Sequence, residues 1–409
     1  MTPDPLAPLS TDPNAFCFLD TETRSTENVK IHGAYRHNRN GRVTILVFAI
    51  GDAPVVEWAL PDFEPGRKLS WGMAPTELLD FLYRVRGGQA WFVAHHAAFD
   101  VLACSRGMKG LRMDPSWFID SMVQFTRSHL PADLMGASLV AKVKAVKHSD
   151  GKRLIEMFAV EGSPHTPQSD PEDWQRFLAY ARDDVNAMRE IFWGTMPLPR
   201  RTWEEYWVSE RINHRGIPMD EKFVRGAAVL AAFAADKANG DIKRLTGEAK
   251  IDKVTQAARL IDWVREKLVM LPEVDRILTR EILEEPGEDG EDVRQVPKYS
   301  LERTRVEELI VYLERMDEEQ GLTDAEFAAL EVLEVRLYGA SATPQKFGKA
   351  RLAIDEGRIK GQYVFCGAAA TTRYSSRGLQ IHNLARATIG GRDDELDAIE
   401  MITELGGES

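Results

Sequence analysis

The chain has 409 residues, of which 44% are hydrophobic and 28% charged, and its formal net charge is -12. That length and apolar content suit two or three domains with proper cores, and the acidic balance argues against a protein that gathers nucleic acid over a uniformly basic surface while leaving room for a local basic face. Cys17, Cys104 and Cys366 lie far apart with no C-x-x-C spacing, which argues against a disulfide framework or a zinc site and favours a reducing, cytoplasmic setting. No run of about 18 apolar residues is present, so no membrane span and no membrane partner are expected.

Residues 1–14 are Pro-rich and acidic without a signal pattern, and read as a loose leader. The apolar run from Phe16 to Leu19 reads as a buried strand, and Asp20 and Glu22 follow at its end. A strand sends residues i and i+2 to one face, so both carboxylates can aim at one spot, where they repel unless a cation lies between them. Hard oxygen ligands of this kind suit Mg²⁺ or Mn²⁺. Residues 33–40 are polar and turn-rich; Val43–Ile50 is a β-branched strand and Val55–Trp58, after G-D-A-P, makes a hairpin with it. Pro75–Val85 reads as a helix, Trp91–Ala94 as a strand, and Ala97–Arg106 as a helix that carries Asp100. Asp120 follows the apolar run Trp117–Ile119 and is given a structural role.

Two helical pieces, Ser138–Val146 and Lys152–Val160, precede the strongest helix signal in the chain. Asp170 fits its N-cap, Pro171 its first turn, and Glu172 and Asp173 its positive dipole end. On this helix Tyr180 and Asp184 stand one turn apart. The P-L-P-R-R run at 197–201 closes the alternation of strand and helix. Helical text follows over Trp203–His214, Glu221–Leu245, Val254–Leu268 and Leu301–Leu337, with an acidic Gly/Pro loop at 284–292.

D-x-E at Asp20 and Glu22, H-x-x-x-D ending at Asp100, and Y-x-x-x-D ending at Asp184, in this order, resemble the DEDD 3′–5′ exonucleases of the subtype with a tyrosine in the third motif. They are most similar to the proofreading domain of family A, phage-type DNA polymerases. The resemblance implies an α/β, ribonuclease H-like exonuclease domain over 15–196, with a mixed central sheet flanked by helices. A mostly α-helical, thumb-like DNA-binding region over 197–409 would follow, ending before the palm. It further implies two divalent metal ions, Mg²⁺ or Mn²⁺, held by Asp20, Glu22, Asp100 and Asp184, with Asp20 bridging them and Tyr180 orienting the attacking water. Thr21, His96 and Phe99 are then candidates for holding terminal nucleotides. His96 stands where that family commonly has an amide.

A second resemblance lies near the C-terminus. Tyr363–Arg386, with T-T-R-Y-S-S-R-G-L-Q, is similar to the family A stretch just before the palm, with Thr372 for the usual glycine and Ala385 for the usual proline. Between 341 and 392 nine Lys or Arg face two acids, Asp355 and Glu356. Arg interleaved with Gly, Ser, Gln and Asn suits contacts to phosphate and sugar, and Lys346, Arg373, Ser375, Arg377, Gln380 and Asn383 are the candidate nucleic-acid contacts.

The palm aspartate motifs and the fingers helix are missing from the sequence. The reading is therefore a metal-dependent 3′–5′ exonuclease acting on DNA 3′ ends, part of a split or truncated replicative polymerase. Its partners would be a single-stranded 3′ end, primer–template DNA, and a second polypeptide carrying palm and fingers, without which no primer extension is expected. The apolar positions Ile389, Leu396, Ile399, Met401, Ile402 and Leu405 would meet that partner, or else the chain beyond about residue 387 would be poorly ordered. The alternatives are a stand-alone DEDD exoribonuclease, which leaves T-T-R-Y-S-S-R-G-L-Q unexplained, and a non-catalytic DNA-holding subunit.

Overall fold

The computed structural model describes residues 4–143, 150–286, 293–340, 342–368, 371–383 and 391–407. By Cα proximity the chain forms two compact units, neither continuous in sequence: residues 1–220 with 349–384, and residues 221–348 with 385–409.

The first unit is built on a mixed five-stranded sheet. In chain order its elements begin with β1 (Phe16–Arg24), α1 (Val29–Asn40), β2 (Arg42–Ile50), β3 (Val56–Ala59), α2 (Thr76–Arg86), β4 (Trp91–Ala94) and α3 (Ala97–Leu102). They continue with β5 (Phe118–Asp120), α4 (Ser121–Arg127), α5 (Leu134–Ala141), α6 (Gly151–Phe158), α7 (Pro171–Gly194) and α8 (Arg200–Arg215). The strand order is β3-β2-β1-β4-β5; β1 runs antiparallel to β2 and parallel to β4, and β4 runs parallel to β5. Both faces of the sheet are covered, which is why β2 reads as one continuous apolar run rather than an alternation. Phe16, Phe18, Ile45 and Val47 pack with Val185, Met188 and Phe192 of α7. Cys17, Leu19, Leu46 and Phe48 pack on the other side with Leu78 and Phe81 of α2.

Three local expectations differ from what is found. The polar stretch 33–40 is helical, within α1, which is capped by the Asn28 side chain and kinked at Gly33, whose φ is +75°. Its buried face is Tyr35, His37 and Asn38, so hydrogen bonds rather than apolar periodicity seat it: His37 bonds the Thr23 hydroxyl (2.8 Å) and the Glu27 carbonyl (2.6 Å). The described part of the leader is pinned: the Arg200 and Arg201 N–H groups donate to the carbonyls of Ala7 (2.8 Å) and Pro5 (3.0 Å), and Leu9 joins the core. Residues beyond 197 also pack with the sheet unit. Trp203, Tyr206 and Trp207 of α8 bury into the core with Phe365, and Asn213 both donates to the Tyr363 carbonyl and accepts its N–H. The hairpin of Tyr363–Ala368 with Arg373–Ser376 thus belongs to this unit.

The second unit is mainly helical: α9 (Glu221–Thr246), α10 (Ala257–Lys267), α11 (Pro272–Leu278), α12 (Arg303–Gln320), α13 (Asp324–Gly339), α14 (Ala342–Ala353, shared at its end with the first unit) and α15 (Arg392–Leu405). The single helical stretch expected over 301–337 is two helices, because Gly321 takes φ +78° and Thr323 starts α13 with a capping box to Glu326. The strands Thr279–Pro286 and Val293–Tyr299 pair on either side of the acidic loop, whose residues 287–292 lie outside the described ones. Leu260, Val264, Leu309, Leu313 and Leu333 form its core. α15 lies against α9 at Gly226, where the Ile402 carbonyl leaves no room for a Cβ. Leu396, Ile399 and Met401 of α15 are exposed, Ile402 is half-buried, and Ile389 lies outside the described residues.

Candidate active site

The candidate acids gather at the carboxyl ends of the neighbouring parallel strands β1 and β4, the place where open α/β sheets offer a crevice. Asp20 and Glu22 continue the side of β1 that carries Phe16 and Phe18, and so lie toward α7. A register shift between Glu22 and Thr23 interrupts the pairing with β2 beside them, which resumes at Thr23 with Val43. Thr21 points the other way, and its hydroxyl donates to Asp100 Oδ1 at 2.7 Å. That bond ties α3 to the acid-bearing strand, and Asp100 is only 2% exposed.

The four carboxylates act on one another. Burial, then the Asp184 charge, pushes Asp20 up from 3.8 to about 7. Burial raises Glu22 well above its ordinary range, and Asp20, Asp184 and Asp100 add to the shift. Asp100 is raised likewise, by burial and then by Asp20. Among the described residues none of Asp20, Glu22 and Asp100 forms an ion pair with a basic side chain. Tyr180 is half-buried, and its hydroxyl donates to Asp184; burial first, then the charges of Asp184, Glu22 and Asp20, raise its pKa further above 10. Its ring is stacked on Phe177 and lies against Gly151 at the start of α6, where a Cβ would come within 2.9 Å of it. The donors are all hard oxygens, the kind that Mg²⁺ and Mn²⁺ take. Among the described residues no three acidic, His or Cys side chains stand close enough to form a ready-made metal cluster.

Asp20, Asp100, His96, Phe99, Arg377 and Gln380 line one cleft of about 1000 Å³ within the first unit. His96 takes a left-handed conformation (φ +61°), and burial lowers its pKa. Phe99 packs partly into the core and tilts against His37. Arg373 and Ser375 lie on the hairpin strand and Asn383 in the turn beyond it, all outside the cleft lining; Lys346 belongs to the second unit. Sequence reasoning missed Tyr206, Glu210 and Asn213, which line the same cleft from α8. Burial pushes Glu210 up to about 7. No spacing signal marks these residues, since on a helix they read as ordinary positions.

A mixed α/β unit with interacting acids on and beyond its strands, followed by a helical unit, is the architecture to which the comparison with known proteins applies. No family model matches the chain. Over 400 residues, 95% of its length, it is 24% identical to the DNA polymerase of Bacillus phage SP02. The chain is thus related to a phage DNA polymerase, and it spans about half of that relative's length (53%). Among the described residues no helix is long and apolar enough to cross a membrane.

Proposed function

We propose that this chain is a metal-dependent 3′–5′ exonuclease of the DEDD type with a third-motif tyrosine. It would act on DNA 3′ ends as the proofreading part of a family A polymerase, in a ribonuclease H-like domain. The thumb-like remainder would bind primer–template DNA. The observation that carries this reading is the mutual electrostatic raising of Asp20, Glu22 and Asp100, with Asp184 acting on the first two. Acids withdrawn from water that repel one another, Asp100 fully and Asp20 and Glu22 in part, are costly to keep unless a cation uses them. The similarity to a DNA polymerase supports DNA over RNA as the polymer.

Asp20, Glu22, Asp100 and Asp184 would hold two divalent ions, which when bound supply a strong nucleophile at neutral pH and stabilise the leaving 3′-oxygen. The chain's own residues do the rest. Tyr180 stays protonated, since everything around it opposes ionisation, so it serves as a hydrogen-bond donor or acceptor that orients water and not as a base. Thr21 fixes Asp100 relative to β1. His96 and Phe99 offer flat rings at the cleft, a sequence-tolerant surface for terminal bases. Arg377 and Gln380 face the same cleft and suit phosphate and sugar. No primer extension is ascribed to these residues, among which the palm and fingers motifs are not found.

End-labelled single-stranded DNA and RNA, incubated with the chain in Mg²⁺ or in EDTA, test the reading. The expected result is stepwise shortening of DNA from its 3′ end in Mg²⁺ alone. No digestion of either strand, or digestion of RNA only, would overturn it.

A further inference from the structure

The loop that carries His96 into α3 has a support that the four acids do not explain. Asp120, at the end of β5 and 3% exposed, pairs across the sheet with Ala94. Its Oδ1 accepts two backbone N–H groups, from His96 (3.0 Å) and from Met122 at the start of α4 (3.0 Å). Its Oδ2 accepts the hydroxyl of Tyr206, from α8, at 3.3 Å. Tyr206 is itself 3% exposed, and its ring meets Phe365 edge-on at 5.8 Å. His96 is the N-cap of α3 and holds φ +61°, ψ +48° without a side-chain cap. A non-glycine residue pays for that left-handed conformation, so the Asp120 bond is what keeps the turn in place. Asp100 follows four residues later on the same short helix, held from the opposite side by Thr21. A continuous chain therefore runs from Tyr206 through Asp120 and the His96 N–H to Asp100.

We propose that Asp120 and Tyr206 are positioning residues of the nuclease site: the Tyr206 hydroxyl fixes the Asp120 carboxylate, which fixes the left-handed His96 turn and with it the place of Asp100 beside Asp20. This rests on the exonuclease reading and extends it to two residues that line the cleft but are outside the proposed metal-holding set. Burial raises the carboxyl of Asp120, and the His96 ring, the two N–H groups and the Tyr206 hydroxyl oppose that shift. Loss of the hydroxyl leaves Oδ2 buried without a donor and frees the carboxylate to turn.

Tyr206→Phe removes only the hydroxyl and keeps the ring on Phe365. In the full chain it is expected to lower kcat on single-stranded DNA by about tenfold and to weaken Mn²⁺ binding, read by calorimetry without DNA, by a similar factor. KM for the strand and the thermal midpoint should change little. Asp120→Asn keeps Oδ1 for the two N–H groups and turns its amide toward Tyr206, whose oxygen can accept, so it should stay near wild type. Asp120→Ala orphans both N–H groups and should lose activity and Mn²⁺ affinity. A Tyr206→Phe protein with wild-type kcat and Mn²⁺ affinity overturns the proposal, as does one in which only the thermal midpoint falls. If the wild-type chain itself digests no DNA, the exonuclease reading fails, an outcome distinct from an active wild type matched by an equally active variant.

Discussion

In the helical unit Asp275 accepts from the Arg265 guanidinium at 2.7 and 3.0 Å, Arg303 reaches Glu307, Arg276 reaches both Glu273 and Glu308, and Lys298 reaches Glu281. In the sheet unit the partly buried Asp20 and Glu22 and the buried Asp100 act on one another, and Thr21 donates to Asp100. The first arrangement is what an acidic chain does with its charges when only solubility and modest stability matter: the pairs are exposed, and each contributes about 0–1 kcal/mol. The sheet unit uses the same device where it has structural work to do. Asp355 is fully buried, and although burial pushes its carboxyl up, Lys360, Arg106 and Arg39 outweigh that and hold it below its usual range. A chain able to surround Asp355 with three cations leaves three other acids without one among the described residues. That contrast is what motivates reading the latter as a candidate site.

The contrast is broken most sharply at Asp20. Asp20→Ala should cut digestion of single-stranded DNA at least a hundredfold, roughly 3 kcal/mol of barrier, while leaving DNA binding largely intact. Tyr180→Phe, which only misplaces water, should be milder. Gel-resolved single-turnover rates with parallel binding isotherms check both, and near-wild-type turnover in Asp20→Ala would discard the assignment.

Next in size is the basic segment. Arg373 and Arg377 are exposed, and reversing both charges to Glu should weaken primer–template binding by about tenfold or more and flatten its salt dependence. Digestion of short single strands should suffer less. An equal loss on both substrates, measured by anisotropy and by rate, would point to misfolding.

A smaller effect concerns metal-free stability. Asp20 ionises near 3.8 when unperturbed and only near about 7 in the folded chain. Between those values the folded state holds more protons than the unfolded one, so this group's contribution to stability falls as pH climbs from about 4 to about 7. Without divalent ions the thermal midpoint should therefore be higher with Asp20→Asn than with Asp20 at pH 7.5. Mn²⁺ should raise the wild-type midpoint at pH 7.5, by roughly 2–4 °C for each kcal/mol recovered, and far less at pH 5. Scanning fluorimetry at the two pH values decides, and identical Mn²⁺ shifts at both would refute the account.

The smallest expected change is in the helical unit. Arg265→Ala breaks an exposed pair with Asp275 and should alter stability by less than about 1 kcal/mol in urea titrations. A larger loss would mean that such pairs carry weight there after all.

Strand and helix were legible where one residue pattern overwhelms its surroundings. β2 and β4 announce themselves by continuous apolar runs, and α7 by its proline start, acidic first turn and apolar stripe. The candidate acids could be named from spacing and order, because D-x-E on a strand and Y-x-x-x-D on a helix are local periodicities. α1 was not legible, since its buried face is Tyr35, His37 and Asn38, and the groups that satisfy them come from other elements. The same holds for the attachment of α8 and of 349–384 to the sheet unit, and for Tyr206 on Asp120: each depends on partners tens to hundreds of positions away. By itself the sequence determined which residues could carry charge to one end of a sheet, because alternation and helical turn are properties of the backbone. Only the tertiary structure decided that Glu22 feels three other carboxylates, that Asp355 is neutralised by three cations, and that the His96 turn rests on Asp120. Burial and distance set electrostatic energy, and neither exists until the chain has folded.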